Sequence, residues 1–193
     1  MSWIHLDQQM ANHSESLLAD VGITKDQSKK LATAIASDIR FLSQETKHLI
    51  STASPVSLKD RLTELRGFQG WMDIAQTIQN PFVTRAQVIT QNYICFVYLP
   101  EGCFSVVRKY APIGSVAKKC AKFLTDNPIR AFRNAVSHSN WKYREDFSGL
   151  IYWARIGDDK NEPMTKFEVD GQKLAFWQSL SRCVAYSIYE SLN

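Results

Sequence analysis

The sequence lacks the segments that would place the chain in a membrane or direct it to secretion. Its longest apolar run, YICFVYL, is far shorter than the roughly 20 residues that a membrane-spanning helix requires. The opening stretch MSWIHLDQQMANHSES has neither the basic part nor the apolar part of a secretory signal. We therefore expect a protein of the cytoplasm that does not bind a membrane.

The sequence also lacks the usual signatures of metal and cofactor sites. It has four cysteines, but no two of them form a C-x-x-C pair, so neither a zinc site nor a disulfide framework is indicated. We interpret them as buried thiols. A glycine-rich phosphate loop, a nucleophile elbow and a cluster of metal ligands are all missing. The prediction is therefore no metal site and no cofactor.

What is present is the composition of an ordinary globular domain. The chain has 193 residues, of which 45% are apolar and 22% charged, and this length lies within the usual range for one domain. We expect a single domain over residues 1–193, in which residues 1–23 form an N-terminal extension or a helix.

Apolar residues recur at intervals of three and four along most of the chain, which is typical of amphipathic helices. We expect one long helix over residues 24–55 and a second over residues 57–78. Another helix is expected to start at Pro81. Two more follow, and Pro112 and Gly114 separate them because both residue types interrupt helices.

The pattern changes towards the end of the chain. GLIYWARI and MTKFEV are rich in β-branched and aromatic residues, and the polar GDDKNEP between them is typical of a hairpin loop. Helical spacing then returns in QKLAFWQSLSRCVAYSIYESL. The sequence therefore predicts an all-α fold, an antiparallel helical bundle with a small β-hairpin insertion over residues 147–170, before the last helix.

Positive charge is concentrated in one part of the chain. Residues 108–144 contain nine lysines and arginines and a single acid, Asp126, so this segment carries a charge of +8 while the remainder carries −4. Such asymmetry indicates a polyanionic partner such as RNA, although a solvated helix face would give the same pattern.

The stretch NPIRAFRNAVSHSNW, residues 127–141, predicts an amphipathic helix with Asn127 as N-cap and Pro128 as the first helical residue. At about 100° per residue its polar side chains share one arc. This arc carries two guanidinium groups, an amide, a hydroxyl and an imidazole, without any acid or lysine. Guanidinium groups suit phosphate oxygens, and histidine exchanges a proton near neutral pH. Both properties are needed to cleave RNA through its 2′-hydroxyl.

The six residues RNAVSH, Arg133 to His138, resemble the signature of the HEPN superfamily: an arginine, a polar residue, three further residues and a histidine, on a late helix of an all-α domain. A long first helix pair, basic helices before the motif, a β-hairpin after it and a closing helix are also similar to that family. The resemblance implies a HEPN-like bundle whose catalytic residues are Arg133, Asn134 and His138. Ser139 and Asn140 follow the histidine where many members have glycine.

The resemblance further implies a metal-independent endoribonuclease that leaves 2′,3′-cyclic phosphate ends. Proteins of this kind act as toxins of toxin–antitoxin systems or in antiphage defence, including abortive infection, so an antitoxin protein is a possible partner. The residues that we expect to bind RNA are Lys118, Lys119, Lys122, Arg130, Lys142 and Arg144.

The spacing of the motif also favours a homodimer. Arg133 and His138 lie about 140° apart on an ideal helix, too far round for both to contact one phosphate comfortably unless the helix end unwinds or a second copy contributes. A two-fold interface through the motif helix would bring two copies of the patch together, in agreement with the dimers that the resemblance implies.

Two readings therefore follow from the sequence. The first is a HEPN-type endoribonuclease in which His138 acts as base or acid and Arg133 stabilises the transition state. The alternative is a catalytically silent helical domain that binds RNA or a protein through the same basic surface. In a third and simpler interpretation, Arg133 and His138 are ordinary surface residues at the end of a helix.

Overall fold

The computed structural model describes residues 3–65, 81–100, 102–157 and 161–192. It is mostly helical, with a small antiparallel sheet before the last helix, and confirms the predicted helical bundle with a β insertion. No helix of these ranges is both long and apolar enough to cross a bilayer. The helices are α1 (Trp3–Ala11), α2 (Glu15–Val21), α3 (Lys25–Ser28), α4 (Leu31–Arg40), α5 (Gln44–Ser51), α6 (residues 58–65), α7 (Pro81–Tyr93), α8 (Cys103–Tyr110), α9 (Val116–Thr125), α10 (Ile129–Ser137) and α11 (Gly171–Leu192).

The long first helix that we expected is instead three helices, α3, α4 and α5. Thr24 forms a capping box with Gln27 at the start of α3, and the Ser43 hydroxyl accepts a hydrogen bond from the Thr46 amide at the start of α5. These caps satisfy backbone donors that a continuous helix would have used internally. The apolar spacing runs on through both breaks, and for this reason it did not reveal them.

Side chains from distant parts of the chain hold the starts of two other helices. The Asp7 carboxylate accepts a hydrogen bond of 2.7 Å from the Ala32 amide at the start of α4. Asp38 in turn accepts one of 2.9 Å from the Ala117 amide at the start of α9. A carboxylate is favoured at a helix N-terminus because it meets unpaired amides and the positive end of the helix dipole. These contacts fix α1, α4 and α9 relative to one another.

The expected helices around the middle of the chain are present. α7 begins at Pro81, and Pro112 and Gly114 lie between α8 and α9. A π-helical turn, Ile94–Tyr98, follows directly after α7. The second expected helix is present in α6, and the rest of its span, residues 66–78, lies outside the described residues.

α11 is the central element of the core. It packs against α1, α4, α9 and the π-helical turn, and Trp177, Phe176 and Leu180 are among its fully buried side chains. The four cysteines are also buried and free, as expected. Burial raises the pKa of the Cys95 thiol to about 11, so this group stays protonated and unreactive at neutral pH.

The insertion before α11 has three strands and not the two that we expected. β1 (Trp141–Tyr143), β2 (Gly149–Ala154) and β3 (Thr165–Asp170) form an antiparallel sheet in the order β1-β2-β3. β2 and β3 form the predicted hairpin within residues 147–170, whereas β1 precedes it and pairs Trp141 with Tyr152. β2 lies against α10 and so connects the sheet to the motif helix.

Candidate active site at the end of α10

α10 is anchored by a buried apolar face. Ile129, Ala131, Phe132, Ala135 and Val136 are buried. The Phe132 ring is surrounded by three other rings, with centroid distances of 5.1 Å to Phe96, 5.0 Å to Tyr152 and 5.8 Å to Trp177. Edge-on packing of this kind stabilises an aromatic cluster. The helix is therefore a rigid support for the residues on its other face.

The polar arc of α10 faces outward. Arg130, Arg133 and Asn134 are partly exposed, and Ser137 and His138 are exposed. The arrangement agrees with the helical spacing of the sequence. Arg130 lies in the first turn, near one end of the helix, and His138 directly follows the last turn at the other end.

The start of α10 differs from the prediction by one residue. Pro128, and not Asn127, occupies the N-cap position, and the helix begins at Ile129. The Asn127 side chain instead donates a hydrogen bond of 3.3 Å from Nδ2 to the carbonyl of Ile156. Asn127 therefore links the start of α10 to the segment after β2, a contact that local sequence does not reveal.

The end of α10 is a left-handed cap. His138 leaves the helical conformation with φ −107° and ψ 10°, and Ser139 has a positive φ of 57°. The Ser139 amide donates to the carbonyl of Val136 at 3.3 Å, and the Asn140 amide donates to the carbonyl of Ala135 at 2.8 Å. These two bonds define a Schellman motif, which usually has glycine where this chain has Ser139. The helix thus ends at the histidine in an ordered turn.

We expect Ser139→Gly to raise the free energy of unfolding by about 0.5–1 kcal/mol. A side chain at a left-handed position costs about 1–2 kcal/mol, and the greater freedom of glycine in the unfolded chain offsets part of this gain. Urea denaturation of both proteins measures the difference. The matched control is Ser137→Gly, where the backbone is helical and glycine should lower stability by about 0.5–1 kcal/mol. A loss of stability in both variants would contradict the strained cap.

Two hydrogen bonds connect polar residues of the motif. Arg133 donates from Nη2 to Oδ1 of Asn134 at 3.4 Å, and the Ser137 hydroxyl donates to the carbonyl of Arg133 at 3.0 Å. The side-chain oxygen of Asn134 thus accepts a long hydrogen bond from the guanidinium of the adjacent Arg133.

An open groove of about 710 Å³ adjoins the end of α10. Val136, Ser137 and Ser139, which flank His138 in sequence, form one side of it. α7 and β1 form the rest, and Tyr93 of α7 and Trp141 of β1 are among the residues that line it. Sequence analysis missed these two residues because they lie on separate elements. The only local signal was that Ile89 and Tyr93 share a face of α7 one turn apart.

One aromatic residue at the groove is firmly held. The Tyr143 hydroxyl donates a hydrogen bond of 3.1 Å to the carbonyl of Arg85. Burial raises the pKa of Tyr143 above its ordinary value, and the charge of Arg85 opposes this only in part. The phenol is therefore neutral at physiological pH and acts here as a structural donor.

The expected RNA-binding residues lie in different places. Lys119 and Lys122 line a second cavity, of about 640 Å³, beside Asn127 and Pro128 at the start of α10. Lys142 lines the groove at the other end of the helix. The nine residues of α10 span about 13 Å at 1.5 Å per residue. Positively charged residues therefore lie near both ends of α10.

Several of the expected RNA-binding residues have partners within the protein. Lys119 donates from Nζ to the carbonyl of Gly22 at 2.9 Å. Lys118 donates from Nζ to the carbonyl of Ala111 at 3.0 Å, just beyond the end of α8. Arg144 forms an ion pair of 2.7 Å with Glu168. Lys166, with a smaller contribution from Arg144, holds the pKa of Glu168 below its ordinary value. A phosphate would have to compete with these contacts.

Asp126, the single acid of the basic segment, also has a partner within the protein. Asp126 forms an ion pair of 2.7 Å with Arg108, whose guanidinium also donates to the Thr125 hydroxyl at 3.1 Å. The carboxylate therefore neutralises Arg108 and not a residue of α10.

No known protein family matches this chain, and neither a curated protein nor a solved structure shows significant similarity to it.

Proposed function

We propose that the protein is a metal-independent endoribonuclease of the HEPN type whose active site is the polar arc of α10. The observation that supports this most is the combination of Arg133, Asn134 and His138 at an ordered helix end, beside an open groove. An ordinary solvated face would carry acids and lysines, and this arc has neither. The reaction class follows from the chemistry of these groups.

In the proposed reaction, His138 takes the proton from a ribose 2′-hydroxyl, and the oxygen attacks the adjacent phosphorus. The bond from phosphorus to the 5′-oxygen breaks, and that oxygen takes a proton from solvent water as it leaves, while the protonated His138 returns its proton to the solvent. The products are a 2′,3′-cyclic phosphate and a 5′-hydroxyl. The guanidinium of Arg133 stabilises the negative charge that gathers on the phosphate oxygens in the transition state. Asn134 positions this guanidinium through the contact at 3.4 Å.

The biological role that we propose is that of a toxin or an antiphage defence protein that acts on RNA in the cytoplasm, with an antitoxin protein as a further partner. This part rests on the resemblance of RNAVSH to the HEPN signature. The basic residues at both ends of α10 would guide a negatively charged strand along the helix.

The experiment that tests this function is incubation of the purified protein with RNA in the presence of EDTA, followed by analysis of the product ends. We expect cleavage to continue, with cyclic phosphate on one product and a 5′-hydroxyl on the other, because the proposed steps use no metal-bound water. A cut that requires a divalent ion and leaves a 5′-phosphate would refute this chemistry.

We also propose a homodimer through α10 in which the two copies share one cleft. Arg133→Ala and His138→Ala should each lower the rate of cleavage by about 10²-fold or more, since each variant lacks one of the two required groups in both chains of the dimer. When the two variants are mixed and exchange subunits, one chain supplies the arginine and its partner the histidine. We expect some activity to return in the mixture. Formation of heterodimers is verified with two different tags.

If tagged heterodimers form and the mixture cleaves no faster than the better single variant, the shared site is wrong. In that case either each motif acts alone or the cleft needs two complete copies.

The second candidate function is a catalytically silent domain that binds RNA. The second cavity favours it, because its lining carries three lysines, Lys119, Lys122 and Lys173, against two acids, Asp20 and Asp126, at the end of α10 away from His138. RNA binding without cleavage under any of the conditions above would select this function.

A further inference from the structure

The groove beside the motif is lined by three aromatic residues that are only partly buried, Tyr93, Trp141 and Tyr143. Tyr93, the last residue of α7, remains 49% exposed, and Ile89 one turn earlier is exposed to the same degree. Trp141 on β1 is partly buried and also faces the groove. Apolar surface at this position has no partner among the described residues. Its flat aromatic parts suit a planar ligand.

The walls of the groove are held in place by the fold. Asn92, next to Tyr93, is fully buried, and its Oδ1 accepts a hydrogen bond of 2.7 Å from Nε2 of Gln178 in α11. On the other side, the Trp141 and Tyr143 rings meet edge-on with centroids 5.6 Å apart. A rigid wall loses little conformational freedom when a ligand binds.

The charges around the groove are positive. Lys142 is part of its lining, and none of the described residues that line the groove is an acid. Arg85 lies beside it, since its carbonyl receives the Tyr143 hydroxyl and its guanidinium lies over the Phe147 ring at 5.1 Å. The groove has an aromatic wall, basic neighbours and a volume of about 710 Å³. A ligand that fits it has a flat apolar part and a negatively charged part. A nucleotide has both.

We infer that this groove is a base-binding pocket that holds one unpaired nucleobase of the RNA strand, stacked on Tyr93 and Trp141, next to the phosphate that is cleaved. Lys142 contacts a neighbouring phosphate. The identity of the ligand rests on the proposed ribonuclease function, and the pocket adds a substrate requirement to it. A base inside a duplex cannot reach the groove, so an unpaired nucleotide at the cut is required.

The test compares two short single-stranded RNA oligonucleotides that differ only at one central nucleotide, which either carries its base or is abasic. Equilibrium binding is measured with His138→Ala, in which cleavage is expected to be about 10²-fold slower or more, and cleavage is measured with the chain that retains His138. We expect the abasic oligonucleotide to bind about 10-fold more weakly, within the range that base–aromatic stacking gives. Tyr93→Ala should remove most of this preference, and Tyr93→Phe should keep it because the ring remains.

Tyr110→Ala is the matched control. Tyr110 is 42% exposed at the end of α8 and does not line the groove. We expect this variant to keep the full preference for the base. If Tyr93→Ala and Tyr110→Ala show the same difference in affinity between the base-containing and the abasic oligonucleotide, the inference that the groove binds a base is overturned.

The binding measurement separates this inference from the proposed function. If no variant and no wild-type sample cleaves RNA, the ribonuclease proposal fails, yet a base preference that is lost in Tyr93→Ala still supports the pocket. If RNA is cleaved but base and abasic oligonucleotides bind alike, the pocket alone fails. Sedimentation of the same samples tests whether a protein surface, and not a nucleobase, occupies the groove. A change of oligomeric state in Tyr93→Ala with unchanged base preference makes the groove a protein interface and overturns the inference.

Discussion

Replacing His138 with alanine is expected to lower the rate of RNA cleavage by about 10²- to 10⁴-fold, the usual contribution of a general acid or base. The imidazole is exposed and follows the last turn of α10, so its removal leaves the apolar anchor of the helix intact. We therefore expect unchanged thermal unfolding and nearly unchanged RNA binding. The measurement is kcat/KM on a single RNA substrate, with the melting temperature of each sample as the check on folding.

The control for this result is His48→Ala. His48 is also exposed, but it lies in the last turn of α5, outside the motif. Its removal should leave cleavage unchanged. Equal losses in the two variants, or full activity of His138→Ala, would show that His138 does not take part in the reaction.

The second large effect is expected at Phe132, the buried side chain that anchors α10 in the core. Phe132→Ala should reduce the free energy of unfolding by about 3–5 kcal/mol, the usual cost of removing a large aromatic side chain from a core. Phe132 is completely buried and touches the rings of Phe96, Tyr152 and Trp177. Since small domains are stable by only about 5–15 kcal/mol, this variant should be near its unfolding threshold. Urea denaturation measures the change.

The control is Phe41→Ala. The Phe41 ring is 84% exposed after the end of α4, and surface changes of this kind stay within about 0.5 kcal/mol. If the two phenylalanine variants lose similar stability, the aromatic cluster beneath α10 does not hold the motif helix as described.

Much of the helical architecture could be predicted because the breaks are encoded locally. Pro81, Pro112 and Gly114 lie where helices start or end, since proline and glycine act on the backbone itself. The breaks in the expected first helix were missed for the opposite reason. Ser43 caps α5 through a hydrogen bond to Thr46, but the apolar spacing continues across it.

The sheet shows the limits of local patterns more clearly. β2 and β3 were predicted, since each has six residues, of which three are β-branched or aromatic. β1 has only three residues, too few for an alternating pattern to be recognised. Its pairing with β2 is a tertiary contact.

The candidate site likewise has features that the sequence predicts and contacts that it cannot show. Helical spacing correctly placed Arg133 and Asn134 on the face of α10 opposite Phe132. It could not show that Asn134 contacts Arg133, or that Tyr93 and Trp141 meet beside Ser139 in one groove. The catalytic roles of these residues and the resemblance to the HEPN superfamily stay predictions.

The most direct test of the proposed chemistry is cleavage of an RNA in which one nucleotide, the one that supplies the attacking hydroxyl at a mapped cut, is replaced by its 2′-deoxy form. The account predicts that the cut at this position disappears while cuts elsewhere in the same strand continue, because the attacking oxygen has been removed from one place only. Cleavage at the substituted position at an unchanged rate would show that water or another nucleophile attacks the phosphate, and would contradict the account.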